Sequence, residues 1–200
     1  LSDDPQIKTL LFCNPHNPIG KVYTEKELLK LIGLCNKYEV MLCSDEIHCD
    51  LILNGKPHIS AAAIDKTIQQ NSITLMGASK TFNIAGLGCG FAIIPNDQLR
   101  QSFKINMRGY TSMINPFGYL ATETAYREAD EWRVALIEYL KFNLKFLENE
   151  INSMPGCKMV KPEASFLAWV DCTKTGIETP ASYFKSFGIV VSTGVVVSTF

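Results

Sequence analysis

The sequence has no initiator methionine, no basic and apolar leader, and no apolar run that approaches the length of a membrane span. It therefore reads as a cytoplasmic chain without a membrane partner, and its opening Leu1-Ser2-Asp3-Asp4-Pro5 reads as a start inside a longer protein. It has no excess of charge of either sign: nineteen Lys and Arg against twenty Asp and Glu leave a formal charge of -1. So balanced a surface does not concentrate a polyanion, which removes the main ground for a nucleic-acid partner. Nor is there a C-x-x-C pair. The seven cysteines (Cys13, Cys35, Cys43, Cys49, Cys89, Cys157 and Cys172) are odd in number and sit mostly in apolar runs. They read as buried thiols in a reducing compartment, not as a disulfide framework or a zinc site.

What is present is a globular composition. With 46% hydrophobic and 20% charged residues, the 200-residue chain carries enough apolar surface for one or two cores and too much for disorder. Thr9 to Cys13 is a short apolar strand that stops at Asn14-Pro15-His16-Asn17-Pro18-Ile19-Gly20, where two prolines and a glycine forbid regular structure. Thr24 and Glu27 form a capping box, and Leu28, Leu31, Ile32 and Cys35 recur at helical spacing to about Tyr38. Val40 to Ser44 and Ser72 to Met76 are continuous apolar runs that suit strands covered on both faces, and a third such strand runs from Gly88 to Ile94. This alternation predicts an α/β fold with a mostly parallel sheet.

Beyond Asp97 the pattern becomes helical, to about Met107, from Pro116 to about Tyr126, and from Asp130 to about Asn152. The last helix is long enough to bridge two cores, and its aromatic stripe reads as packing. Strands are expected at 157–160 and 165–171, a helix at about 180–187, and further strands within 189–200. Residues 1–128 thus form one predicted domain and 129–200 a smaller α+β domain.

Ligands of open α/β sheets bind beyond the carboxyl ends of the strands, where several loops converge. Three polar features fall at such ends: the Asn17 loop, Asp45 with His48, and Ser79 with Lys80. A carboxylate directly after a buried strand needs a cationic or hydrogen-bonding partner. A protonated pyridine nitrogen is one, and the carboxylate would keep that ring a strong electron sink. A lysine in the same mouth can form an imine and later act as a base beside the substrate α-carbon. Simpler roles compete: a helix cap for Asp45, a turn residue for Asn17, a surface amine for Lys80, a structural group for His48. His16 and His58 read as loop residues, and Arg108 and Tyr110 lie where substrate could pass between the domains.

The run Asn14 to Gly20, then Ser44-Asp45-Glu46-Ile47-His48, then Ser79-Lys80-Thr81-Phe82-Asn83 with Gly86-Leu87, resembles the fold-type I pyridoxal-phosphate enzymes of the class I/II aminotransferase superfamily in both order and interval. The resemblance implies a three-layer cofactor domain, pyridoxal 5′-phosphate as cofactor, an amino-acid substrate and a homodimer. It implies that Asn17 hydrogen-bonds the phenolic oxygen of the cofactor, that Asp45 pairs with its pyridine nitrogen, that Ser79 contacts its phosphate and that Lys80 forms the Schiff base. His48 stands where aminotransferases usually carry Tyr, and Gly88 where many carry a phosphate-binding Arg. Both departures resemble the cystathionine β-lyase-like branch, in which His48 would donate to the phenolic oxygen. The activity so implied is carbon-sulfur β-elimination, which releases a thiol, pyruvate and ammonia. Transamination is one alternative, and a truncated, non-catalytic binding module is another. Members of the superfamily are about twice this long. Their phosphate cradle, ring-stacking aromatic and substrate-carboxylate Arg are expected outside these residues.

Overall fold

The capping box predicted at Thr24 opens the first helix, and this helix covers the sheet on which the candidate residues stand. In the computed structural model, which describes residues 4, 6–111 and 113–194, the Thr24 side chain accepts from the Glu27 backbone N–H and the Glu27 carboxylate accepts from that of Thr24 at 2.9 Å. Helix α1 then runs Glu25–Lys37 and buries Leu28, Ile32 and Cys35. These three pack with Leu42, Ala61 and Ile68, and with the partly buried Leu10 and Phe12. Each large apolar side chain fully removed from water there contributes about 1.5–3 kcal/mol.

Among the described residues four strands form the main sheet, in the order β1 (Thr9–Cys13), β2 (Met41–Asp45), β3 (Ser72–Met76), β4 (Phe91–Ile93). The first three are parallel, and β4 is antiparallel to β3. Because side chains alternate along a strand, Leu10 and Phe12 reach the helical core while Leu11, on the other face, is 80% exposed. Two short helices, α2 (Ala61–Ile64) and α3 (Lys66–Gln69), were not expected; Asp65 caps the second by accepting from Thr67 and Ile68.

Past the sheet come α4 (Asp97–Asn106), α5 (Pro116–Glu128) and α6 (Asp130–Ser153). The 24-residue α6 touches both α5 and, further on, a second sheet, as expected of a bridging helix, but it buries none of its residues fully. That sheet pairs β5 (Lys158–Val160) with β6 (Trp169–Asp171) in antiparallel fashion. The strand expected from residue 165 is shorter because Glu163, Ala164 and Ser165 bond instead to Gly20, Leu51, Leu53 and Asn54. Helix α7 is Pro180–Ser186. Residues 189–194 form no strand, and 195–200 lie outside the described residues. Among the described residues no helix is long and apolar enough to cross a membrane.

Candidate active site

Parallel pairing puts the carboxyl ends of β1, β2 and β3 side by side, with Cys13 opposite Asp45 and Asp45 opposite Leu75. The ladder continues one step further: Asn14 N–H donates to the Asp45 carbonyl at 3.0 Å and Glu46 N–H to that of Leu75 at 2.9 Å. The Asp45 carboxylate therefore stands at the centre of the strand ends. It is exposed and accepts from the Ile47 N–H at 3.1 Å. The chain then turns tightly, with Cys49 N–H bonded to Glu46 O and Leu51 N–H to His48 O. His48 is buried in this turn, and among the described residues its Nδ1 has no hydrogen-bond partner.

Burial pulls the His48 imidazole below the ordinary histidine range; the Asp45 carboxylate opposes that shift and the Lys80 ammonium adds to it. Asp45, His48 and Lys80 thus share one electrostatic neighbourhood at one end of the sheet. Among the described residues neither Asp45 nor Lys80 is engaged in an ion pair. Asn17 lies at the same end: its backbone N–H meets the Cys13 sulfur at 3.5 Å, and that thiol is raised by burial, lowered by Asn17 and raised again by Asp45. Ser79 and Lys80 follow β3 in a turn closed by Phe82 N–H to Ala78 O and Ile84 N–H to Ser79 O. Ser79 is half-buried and Lys80 exposed. Arg108 and Tyr110 are also exposed, on the turn after α4.

Several residues that support the site escaped sequence reasoning. Glu46 is buried and accepts from Ser44 Oγ at 2.9 Å, Ser60 Oγ at 3.0 Å and the Ala61 N–H at 3.4 Å, with His58 Nε2 at 2.8 Å. His58 is therefore a partner of a buried carboxylate and not a plain loop residue. Strand alternation was the available signal, because a residue next to an outward Asp45 has to point inward.

The segment 162–166 was missed as well. Glu163 and Ala164 N–H both donate to Gly20 O, Leu53 N–H donates to Glu163 O, and Ser165 N–H to Leu51 O. The Glu163 carboxylate accepts from Val22 N–H and Asn54 Nδ2. Gly20, at φ 68°, allows this approach, since a Cβ there would lie 2.5 Å from the Ala164 carbonyl oxygen. The result is a clamp that lays the Phe166 ring edge-on to His48, 5.6 Å between centroids. A separate cavity, lined by Cys49, Asp50, His58, Tyr126 and Arg133 among others, contains none of the five candidate residues.

Residues 1–199 match the family described as aminotransferase class I and II. The chain is 38% identical over 176 residues to cystathionine beta-lyase PatB of Bacillus subtilis (strain 168), a match over 87% of this chain and 46% of that protein. The crystal structure of OvoB superposes with a TM-score of 0.91 at 43% identity, over 94% of this chain and 50% of that one. The pyridoxal-phosphate-bound C-S lyase of Staphylococcus hominis does so with 0.81 at 36% identity, over 90% and 46%. This chain spans about half the length of the curated relatives it matches. It belongs to the class I and II aminotransferase family.

Proposed function

We propose that this chain carries the reactive half of a pyridoxal-phosphate-dependent carbon-sulfur β-lyase that acts on cystathionine-like amino acids. The observation that carries the reading is the convergence of three strand ends: parallel pairing sets Asp45 between Cys13 and Leu75, and the Asn17 loop, the turn with buried His48 and the Ser79-Lys80 turn follow those same ends. The donor set fits the cofactor. A carboxylate and an amine outside any ion pair and a buried ring nitrogen without a partner are what a pyridinium, an aldehyde and a phenolic oxygen require.

In this reading Asp45 holds the pyridine nitrogen protonated, and His48, kept neutral by burial, carries one N–H to give the phenolic oxygen. Asn17 donates to that same oxygen and Ser79 to the phosphate. Pyridoxal phosphate, when bound, supplies the electron sink for the substrate α-carbon. Lys80 would hold the cofactor through its amine and, as a base in the same mouth, would accept the proton of the substrate α-carbon.

At a larger scale, residues 1–128 form part of a three-layer cofactor domain and 129–200 part of a small α+β domain, within a longer cytoplasmic protein that works as a homodimer. Its partners are small amino acids, neither nucleic acid nor membrane. Incubation of the full-length protein with cystathionine tests the activity. Pyruvate formed without an added keto acid supports the lyase, and strict dependence on a keto acid replaces it with an aminotransferase. Absence of an absorbance band near the visible edge that stays with the protein after pyridoxal phosphate is added and the excess removed would favour a non-catalytic module.

A further inference from the structure

Beyond the strand ends, two of the seven cysteines meet. The register of β5 and β6 pairs Lys158 with Asp171, Met159 with Val170 and Val160 with Trp169. One further step sets Cys157 opposite Cys172. In an antiparallel ladder, opposed residues alternate between hydrogen-bonded pairs and closer, non-hydrogen-bonded ones. Met159 N–H is given to Asn152 Oδ1 at 3.0 Å and Cys157 N–H to Met154 O at 3.2 Å, so neither crosses the ladder. The Cys172 carbonyl is likewise taken, by Thr175 N–H at 3.0 Å and Thr175 Oγ1 at 2.8 Å.

Cys157 and Cys172 therefore occupy the non-hydrogen-bonded position, where Cα atoms lie roughly 4.5 Å apart. That falls inside the range of about 4.4–6.8 Å that a disulfide spans. The two arms stay in contact past the cysteines: a Cβ on Gly156 would come within 2.6 Å of the Lys174 carbonyl oxygen. Both thiols are free and half-buried, so neither is sealed from a small reagent. Cys157 also acts directly on Cys172, whose thiol is raised first by burial and then by that neighbour.

We propose that Cys157 and Cys172 are a reversible thiol pair that a small-molecule disulfide of the glutathione class oxidises to an intrachain disulfide. One thiolate attacks the reagent, forming a mixed disulfide and releasing one small thiol. The second attacks the protein-bound sulfur and releases the other. Two protein thiols lose two protons and two electrons in total, and the reagent is reduced to two thiols. The ring so closed contains the clamp segment 162–166, which bonds to Gly20, Leu51 and Leu53 and carries Phe166 to His48. The bond joins both arms of that segment, so it restrains the clamp from opening. In a reducing compartment the pair stays open, and it closes when the thiol pool is oxidised.

The test is to incubate the folded protein with oxidised glutathione, block residual thiols and map peptides by mass spectrometry. A linked Cys157–Cys172 peptide, short of two hydrogens, should accumulate before any other cysteine pair and disappear with dithiothreitol. Cys172→Ser should stop at a single glutathione on Cys157. Amide exchange at Glu163, Ala164 and Ser165 should be slower in the oxidised protein than in the reduced one. A linked peptide that forms only after urea is added, or no such peptide at all, overturns the pair; equal exchange in both states overturns its hold on the clamp.

Discussion

Glu46 points into the core from the residue next to Asp45, which points out of it. The Glu46 carboxylate lies 2.8 Å from His58 Nε2 and also accepts from Ser44 and Ser60, while the Asp45 carboxylate is exposed at the mouth of the strands. One turn of backbone thus presents an exposed carboxylate and anchors itself with a buried one.

Glu46→Ala should destabilise the fold more than any single change at the mouth. It leaves His58, Ser44 and Ser60 buried or half-buried with a hydrogen-bond partner gone, at a cost of about 1–3 kcal/mol for a buried polar group left unsatisfied. A lowered midpoint in urea unfolding checks this, and Glu46→Gln should recover part of the loss because it keeps an acceptor. An unchanged midpoint in Glu46→Ala would mean that the network contributes nothing.

Lys80→Ala should leave stability nearly unchanged, since the side chain is exposed. It should abolish the absorbance band that pyridoxal phosphate develops with the protein, and lower any β-elimination rate by about 10²–10⁴ or more, the span expected for loss of a positioned acid-base group. A band of full intensity in the variant would reassign the cofactor linkage to another lysine.

The folded-state pKa of His48 is lowered, chiefly by burial, so the folded protein binds its proton less readily than the unfolded chain. Stability from this group is complete above the unfolded value of about 6.5 and is lost as pH falls from there through the folded value. His48→Gln should flatten that acid-side loss in a series of unfolding curves. Phe166→Ala should do so partially, and it should raise the His48 titration midpoint read by NMR, because removing the ring admits water to the imidazole. A midpoint that stays fixed would show that Phe166 does not desolvate His48.

Thr24→Ala removes one half of the capping box at α1 and should cost about 1 kcal/mol. The Glu27 carboxyl is held down to about 2 by Lys21 first and by Thr24 next. Its stabilising effect is therefore present above the ordinary carboxyl value and fades as pH drops toward 2. Chemical denaturation of wild type and variant at neutral and acid pH should show the difference between them shrinking in acid.

The amino-acid sequence by itself determined the local pieces. The Thr24 box, the stripe of Leu28, Ile32 and Cys35, and the unbroken runs of β2 and β3 each depend on neighbours a few positions away, so they are legible without knowing the fold. The order of Asn17, Asp45 and Lys80 was equally legible, because parallel strands bring their carboxyl ends to one edge wherever the helices between them lie. The tertiary structure alone decided the antiparallel direction of β4, the meeting of Glu46 with His58, the seating of Phe166 on His48 and the facing of Cys157 with Cys172. Each of these joins residues through a loop whose closure depends on the packing of the whole chain, and no periodicity within a segment encodes where its far partner will land.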